Sequence, residues 1–305
     1  MPFLELSIPC TDATQARIEV ALEDAGALSI ALADAHADAP DEQAIFEPGV
    51  GEQPLWGEIV LTALFPDDAD ADAVLAALRD SDAQADWSTA TWRHVPDQDW
   101  ERAWMDDYHP LQFGRRTWIV PWNRELPPGA NVPDAAVLRL DPGLAFGSGT
   151  HPTTALCLAW LDALADEGVL PGAHVLDYGC GSGILALAAL QLGAARATGI
   201  DTDPQALVAT RDNAMRNGLD EFIDVHGVDE APRARYDVVV ANILASALVE
   251  LVGPITATLA PGARLALSGI LDGQQDEVLA AYAPHVDALR VTRDGDWVRI
   301  DGIAR

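Results

Sequence analysis

The chain has 305 residues, 49% apolar and 22% charged, which is enough for about two domains with packed cores and too apolar for wholesale disorder. Its 48 acidic residues face 18 basic ones, every one an arginine, for a formal net charge of −30. Such a field repels phosphate backbones and attracts cationic partners, so no direct nucleic-acid contact is expected, although acidity of this kind also follows from composition or solubility alone.

The opening "MPFLELSIPC" lacks the basic start and long apolar stretch of a secretory leader. Its "FLELSIP" alternates apolar and polar residues like a strand. Thr11 and Asp12 then offer an N-cap to the helical pattern "ATQARIEVALEDAG". "ALSIALAD" and "LWGEIVLTALF" are predicted strands on either side of an acidic, Pro- and Gly-marked stretch. "PDDADADAVLAALRD" has acids in its first turn and Val74, Leu75 and Leu78 on one face, as a helix does. "DWSTATWRHV" completes the order βαββαβ of a ferredoxin-like unit over residues 1–95. It contains no catalytic cluster, so the expectation is a substrate-recognition domain. Residues 1–135 hold 26 acids against 7 arginines, the more acidic part of the chain.

Residues 96–110 are expected to form a linker helix, with Trp100 and Trp104 on one face, either positioning the two domains or simply packing on a neighbour. "FGRRTWIVPW" and "AAVLRLD" resemble strands. From Thr150 strands and helices alternate: helix "TTALCLAWLDALAD", strand "HVLDYG", helix "ILALAALQLG", strand "RATGIDTD", helix "PQALVATRDNAMRNG", strands "FIDVHG" and "YDVVVANIL". One helix, "ASALVELVGPITATLA", the strand "ARLALSGI", a helix "DGQQDEVLAAYAPH" and two tail strands finish the chain. This alternation over residues 111–305 predicts an α/β, doubly wound, mostly parallel Rossmann-like sheet, its closing hairpin giving an antiparallel edge strand.

No apolar run nears the roughly 20 residues of a membrane span. Cys10, Cys157 and Cys180 are too widely spaced for a disulfide framework or a zinc site. A soluble, cytoplasmic, monomeric protein without membrane partner or metal is expected.

"DYGCGSG", residues 177–183, joins a strand to a helix where such sheets bind ligands. Gly179, Gly181 and Gly183 permit positive φ and close approach of backbone to a ligand. From Gly181 onward "GSGILA" also satisfies the nicotinamide dinucleotide fingerprint, so the loop leaves a dehydrogenase open. Two residues weigh against it, and a third fits either cofactor. Asp177 would repel a pyrophosphate yet can pair with an ammonium or sulfonium. Asp201 ends the next strand, where its carboxylate can accept two ribose hydroxyls; either cofactor would use it. Asn242 ends "YDVVVAN", a position that suits methyl transfer to nitrogen and that a dehydrogenase does not need.

"LDPGLAFGSGTHPTT" (140–154), "VLDYGCGSGILALAALQLGA", "GIDTDPQAL", "RDNAMRNG" and "VVVANIL" together resemble the methyltransferases of the eleventh large-subunit ribosomal protein. "DWERAWMDDYHPLQFG" and the N-terminal βαββαβ pattern extend the resemblance over nearly the whole chain. Ser148 stands where the family's "FGTGTHPTT" has threonine, which keeps a small hydroxyl residue. The resemblance implies S-adenosyl-L-methionine as methyl donor, with S-adenosyl-L-homocysteine as product. It also implies a basic ribosomal protein as substrate, methylated on α-amino and lysine ε-amino groups. Its cofactor positions fall on Thr154, Gly179, Asp201 and Asn242; Asp177, Gly181 and Gly183 join them from the loop.

Methyl transfer to an amine chiefly requires the neutral amine held with its lone pair aimed. The amide oxygen of Asn242 can accept an amine N–H and set that aim, which makes Asn242 the candidate catalytic residue. Ile243 and Leu244 follow it, which suits an aliphatic amine better than a planar base. Thr154 is read as functional rather than a mere cap, His151 as a capping or packing residue, and Cys180 as a small loop residue. Asp229 stays open between an adenine contact and a solvated acid. The alternatives are a methyltransferase for another amine and a non-catalytic cofactor-binding module for ribosomal protein assembly.

Overall fold

The computed structural model describes residues 2–37, 55–96, 108–141 and 149–305. The predicted linker helix with Trp100 and Trp104 therefore lies almost wholly outside the described residues, as does Ser148. The chain divides into two compact units, Met1–Ala103 and Trp104–Arg305.

In the first unit, β1 (Phe3–Thr11), α1 (Asp12–Asp24), β2 (Ser29–Asp34), β3 (Glu58–Pro66), α2 (Ala71–Ser81) and β4 (Thr91–Val95) follow in order. The strands form an antiparallel sheet in the order β2-β3-β1-β4, the ferredoxin-like arrangement. Period-two alternation builds it: Leu4, Leu6 and Ile8 of β1 and Leu61, Ala63 and Phe65 of β3 are buried with Ile18 and Leu22 of α1 and Leu78 of α2. Each large side chain so buried contributes about 1.5–3 kcal/mol. Thr14 Oγ1 accepts the Thr11 N–H at 3.1 Å, and Asp70 Oδ1 accepts the N–H groups of Asp72 and Ala73. These side-chain acceptors satisfy helix N-termini that would otherwise be left unpaired.

The second unit starts with a small sheet of β5 (Leu111–Phe113), β6 (Thr117–Val120) and β7 (Ala136–Arg139). The helix α3 (Pro152–Asp166) is fastened to it by the buried Asp162, whose carboxylate accepts the N–H groups of Arg115, Arg116 and Thr117 at 2.7, 3.0 and 2.9 Å. Gly114, at φ +60°, makes room, because a Cβ there would strike that carboxylate.

Then come β8 (His174–Tyr178), α4 (Ile184–Gln191), β9 (Arg196–Asp201), α5 (Pro204–Arg216), β10 (Ile223–Gly227) and β11 (Tyr236–Asn242). The chain continues through α6 (Ala245–Glu250), α7 (Val252–Ala257), β12 (Leu259–Leu271), α8 (Gln275–Tyr282), β13 (Val286–Asp294) and β14 (Trp297–Ala304). The seven-stranded sheet has the order β10-β9-β8-β11-β12-β14-β13. Its first five strands are parallel, and helices pack on both faces. The order reverses between β8 and β11, so the switch point, where such sheets bind ligands, lies at their carboxyl ends.

Two sequence expectations are corrected. The antiparallel strand is β14, second from the edge between β12 and β13, while β13 takes the edge. Burial explains the exchange: β14 buries Val298 and Ile300 completely, whereas most of β13 is exposed. The expected single helix over 245–260 is two, α6 and α7, and β12 begins already at Leu259. Pro254 has no N–H to give the carbonyl of Glu250 and its ring clashes there, so α6 ends at Glu250. An antiparallel β14 also separates this sheet from the six-stranded parallel order of dinucleotide-binding dehydrogenases.

Candidate active site

β8 delivers the chain into the glycine loop. The N–H groups of Gly179 and Cys180 both bond the Ile200 carbonyl, at 2.7 and 3.0 Å, and pin the loop to β9. Gly179, Gly181 and Gly183 have φ of +84°, +53° and +81°, a region that L side chains adopt only under strain. Their tasks differ. A Cβ on Gly179 would collide with Ile243 across the cavity wall. A Cβ on Gly183 would approach Thr210 Cγ2 to 2.8 Å, so that glycine lets the start of α4 pack on α5.

Asp201 closes the loop from the end of β9. Its Oδ2 accepts the Gly181 N–H and its Oδ1 the Asp203 N–H, each at 2.9 Å. A carboxylate offers about four acceptor sites, so acceptor capacity remains on both oxygens. Asp177 stands behind the loop, 1% exposed and outside the cavity wall. Its Oδ2 accepts the Ala186 N–H at 3.0 Å, while its Oδ1 has no hydrogen-bond partner among the described residues. Burial pushes its pKa up to about 7, with the Asp201 charge adding and the Ala186 bond opposing. The Cys180 thiol is pushed up to about 12, by burial first and then by the Asp177 charge. It is a packed residue and no nucleophile at neutral pH.

Across the switch point, β11 ends at Asn242. Its Nδ2 donates to Thr154 Oγ1 at 3.3 Å, and its buried Oδ1 has no hydrogen-bond partner among the described residues. Thr154 is fully buried, so it meets the cavity only through Asn242. His151 caps α3, its Nδ1 accepting the Thr153 N–H at 3.3 Å. Its ring stands edge-on to Trp297, centroids 4.6 Å apart. Burial lowers the His151 pKa, which keeps the ring neutral at neutral pH.

These residues surround a cavity of about 480 Å³. Gly179, Gly181, Asp201 and Thr202 line its β9 side; Asn242, Thr153, His151 and Trp297 line the side of β11 and β14. Tyr178, Ile200, Val228, Ile243, Leu244, Ala247 and Leu251 make the rest largely apolar. Asp229 is exposed and off the wall, although its neighbour Val228 is on it. Of the candidate cofactor and catalytic residues, Gly179, Gly181, Asp201 and Asn242 reach the cavity, while Thr154, Asp177 and Gly183 support it from behind. Gly269 and Trp297 were not foreseen. A Cβ on Gly269, at φ +85°, would strike the Ile243 backbone, and a glycine inside a strand pattern was a usable signal for such a close approach. Nothing in the local sequence marks Trp297, because the slot taken by β14 brings it here.

The cavity fits S-adenosylmethionine on two counts: a glycine cradle that side chains would fill, and a carboxylate with acceptor capacity to spare at the end of β9. Fold and site define a Rossmann-like, S-adenosylmethionine-dependent methyltransferase. The family described as ribosomal protein L11 methyltransferase (PrmA) matches residues 2–305. Ribosomal protein L11 methyltransferases from Stenotrophomonas maltophilia and Xanthomonas euvesicatoria pv. vesicatoria are 63% and 60% identical over 305 residues, the whole of each chain. A crystal structure of the ribosomal protein L11 methylase from Lactobacillus delbrueckii subsp. bulgaricus superposes with a TM-score of 0.55 at 33% identity, covering 65% of this chain and 99% of that one. The chain belongs to the ribosomal protein L11 methyltransferase family, and is thus a protein methyltransferase.

Proposed function

We propose that the protein moves methyl groups from S-adenosylmethionine to the α-amino and lysine ε-amino groups of ribosomal protein L11, working as a monomer in the cytoplasm. The observation that carries this reading is Asn242 on the cavity wall beside the glycine loop, its Oδ1 buried and without a hydrogen-bond partner among the described residues. S-adenosylmethionine supplies a methyl group on positively charged sulfur, already activated for displacement.

The chain's own residues hold and aim. Asp201 accepts the ribose hydroxyls, while Gly179 and Gly181 bring backbone close to the cofactor. Ile200 and Val228 offer apolar contact for its base. Asp177 stands behind the loop with its pKa pushed up to about 7 by burial, so a positive charge on the cofactor would draw it toward its ionised form. Ile243, Leu244, Leu251 and Trp297 exclude water, which favours the neutral amine over the ammonium. Asn242 Oδ1 accepts an amine N–H and thereby turns the lone pair toward the methyl group. Thr154 fixes that amide through Nδ2. His151 spends Nδ1 on the helix cap, so the proton leaves the product amine to water. The first unit carries no cofactor loop and most of the excess acid, and serves to recognise the basic substrate.

A non-catalytic assembly module would have no use for a spare amide acceptor at Asn242. Asn242→Ala therefore separates the readings. Loss of an aligned group in a desolvated site costs about 2–4 kcal/mol, by analogy with an oxyanion-hole donor, or roughly 30- to 1000-fold in turnover. S-adenosylmethionine affinity should fall less than tenfold by calorimetry. Mass spectrometry of the ribosomal protein after incubation reads turnover as added methyl groups. Unchanged turnover in the variant under saturating substrates would end the aiming role.

A further inference from the structure

The first turn of α3 carries His151, Thr153 and Thr154, so the position of this helix sets the bond that holds the Asn242 amide. That bond is 3.3 Å long, near the limit for a hydrogen bond, and a slip of well under an ångström would break it. Something must hold α3 along its axis.

Asp162 ties the C-terminal half of the helix to the small sheet, and three contacts from the seven-stranded sheet hold its N-terminal half. Ser268 Oγ of β12 lies 3.2 Å from the Thr153 carbonyl and donates to it. The Trp297 ring meets His151 edge-on. Arg299 Nη1 donates to the Leu156 carbonyl at 2.7 Å. Trp297 and Arg299 are two residues apart on β14 and so face the same side, about 6.7 Å apart along the strand. One contact falls on the cap residue His151 and the other on Leu156 in the first turns of α3, so β14 grips the start of the helix at two points.

Arg299 is unusual in itself. Among the described residues it is the one arginine in the buried class, 9% exposed. Its Nη2 bonds Asp301 Oδ1 at 2.7 Å and Thr292 Oγ1 at 3.1 Å, which fixes the guanidinium plane. Burying an ion pair rarely stabilises a fold more than apolar residues of similar volume would. What the guanidinium adds is a directed bond to one helix carbonyl.

We propose that Arg299 is a positioning residue of the methyl-transfer site, holding α3 in the axial register that places Thr154 against the Asn242 amide. The inference rests on the aiming role of Asn242 proposed above. A displacement of about 1 Å at a reacting centre can cost on the order of 100-fold in rate. Loss of the Arg299 bond should therefore appear in kcat and spare the cofactor, whose loop and carboxylate belong to other elements.

The test uses the full-length protein with S-adenosylmethionine and the ribosomal protein at saturation. Arg299→Met should lower kcat about 10- to 100-fold, with the cofactor Kd within about threefold of wild type; Arg299→Lys should recover part of the loss. If Arg299→Met alone does not fold, Arg299→Met with Asp301→Leu removes the unpaired carboxylate and keeps the measurement. In an Asn242→Ala background the Arg299 substitutions should change kcat less than threefold, because the bond they disturb no longer aims anything. A folded double variant with wild-type kcat, or one that loses cofactor affinity in step with kcat, overturns the positioning role. So does full additivity with Asn242→Ala. If Asn242→Ala itself leaves kcat unchanged, the aiming role fails first and is recognised separately.

Discussion

On the β9 side of the cavity, the polar groups are a glycine loop, one carboxylate and the adjoining Thr202, gathered from a single strand–loop–helix–strand unit over residues 177–203. On the β14 side, Asn242, Thr154, His151 and Trp297 come from three elements and a helix cap between residues 151 and 297. The first side is backbone geometry fixed locally, which suits a cofactor of constant shape. The second is side-chain geometry fixed by how helices and strands dock. Changes on the two sides should accordingly fail differently: the first in cofactor affinity, the second in turnover, as expected for Asn242 and Arg299.

Asp201→Ala should have the largest effect on the first side. Hydrogen bonds to a charged group are worth roughly 1.5–3 kcal/mol each, and two to the ribose amount to at least about a 100-fold loss of affinity. The substitution also frees the Gly181 N–H from its 2.9 Å bond, which loosens the loop. Turnover at saturating cofactor should stay within about threefold. Calorimetric titration giving wild-type affinity for S-adenosylmethionine would place the ribose contact elsewhere.

Asp177 offers a smaller effect that reads stability instead of function. Its folded pKa, about 7, lies above the ordinary carboxyl value of 3.8, chiefly through burial. A carboxyl raised in this way is easiest to bury when protonated, so its contribution is most favourable at low pH and is lost as pH rises through about 7. Between pH 5 and 8 the ligand-free protein should lose at most roughly 3 kcal/mol on this account, at 1.36 kcal/mol per unit. Asp177→Asn keeps an oxygen for the Ala186 N–H and should flatten that dependence in thermal melts. Equal slopes for variant and wild type would show that the buried carboxyl carries no such burden.

The same division explains what the sequence reveals. Gly179, Gly181, Asp201 and Asn242 follow strand ends, and the strand–helix alternation alone assigns those ends. The βαββαβ order of the first unit is equally legible, because period-two burial and the caps at Thr11 and Asp70 are local signals. The break between α6 and α7 was also written locally, in Pro254, but was overridden by a long apolar pattern. The slot of β14 was not written locally at all. An isolated strand pattern does not name its neighbours, and with that slot hidden, Trp297 and Arg299 could not be connected to the site. Thr154 was visible as a functional residue, but its contact with Asn242 depends on docking α3 against β11.

The smallest expected effect probes a third kind of determinant, the exposed charge. The net charge of −30 should steer a basic ribosomal protein toward the enzyme, and exposed charges are screened within about 10 Å at 0.1 M salt and 3 Å at 1 M. Electrostatic steering acts on association, so kcat/KM for the ribosomal protein should fall about tenfold between 0.05 and 0.5 M salt while kcat changes little. The cofactor Kd should move less than twofold over the same range, because the loop, its hydrogen bonds and the Asp201 carboxylate sit within the cleft. Steady-state kinetics and calorimetry across a salt series measure both quantities in the same preparation. If kcat/KM is flat while substrate is turned over normally, the acidity serves solubility alone and the recognition proposed for the first unit must rest on shape. If instead the cofactor Kd follows salt as steeply as kcat/KM does, the two sides of the cavity are not independent and the division drawn between them fails.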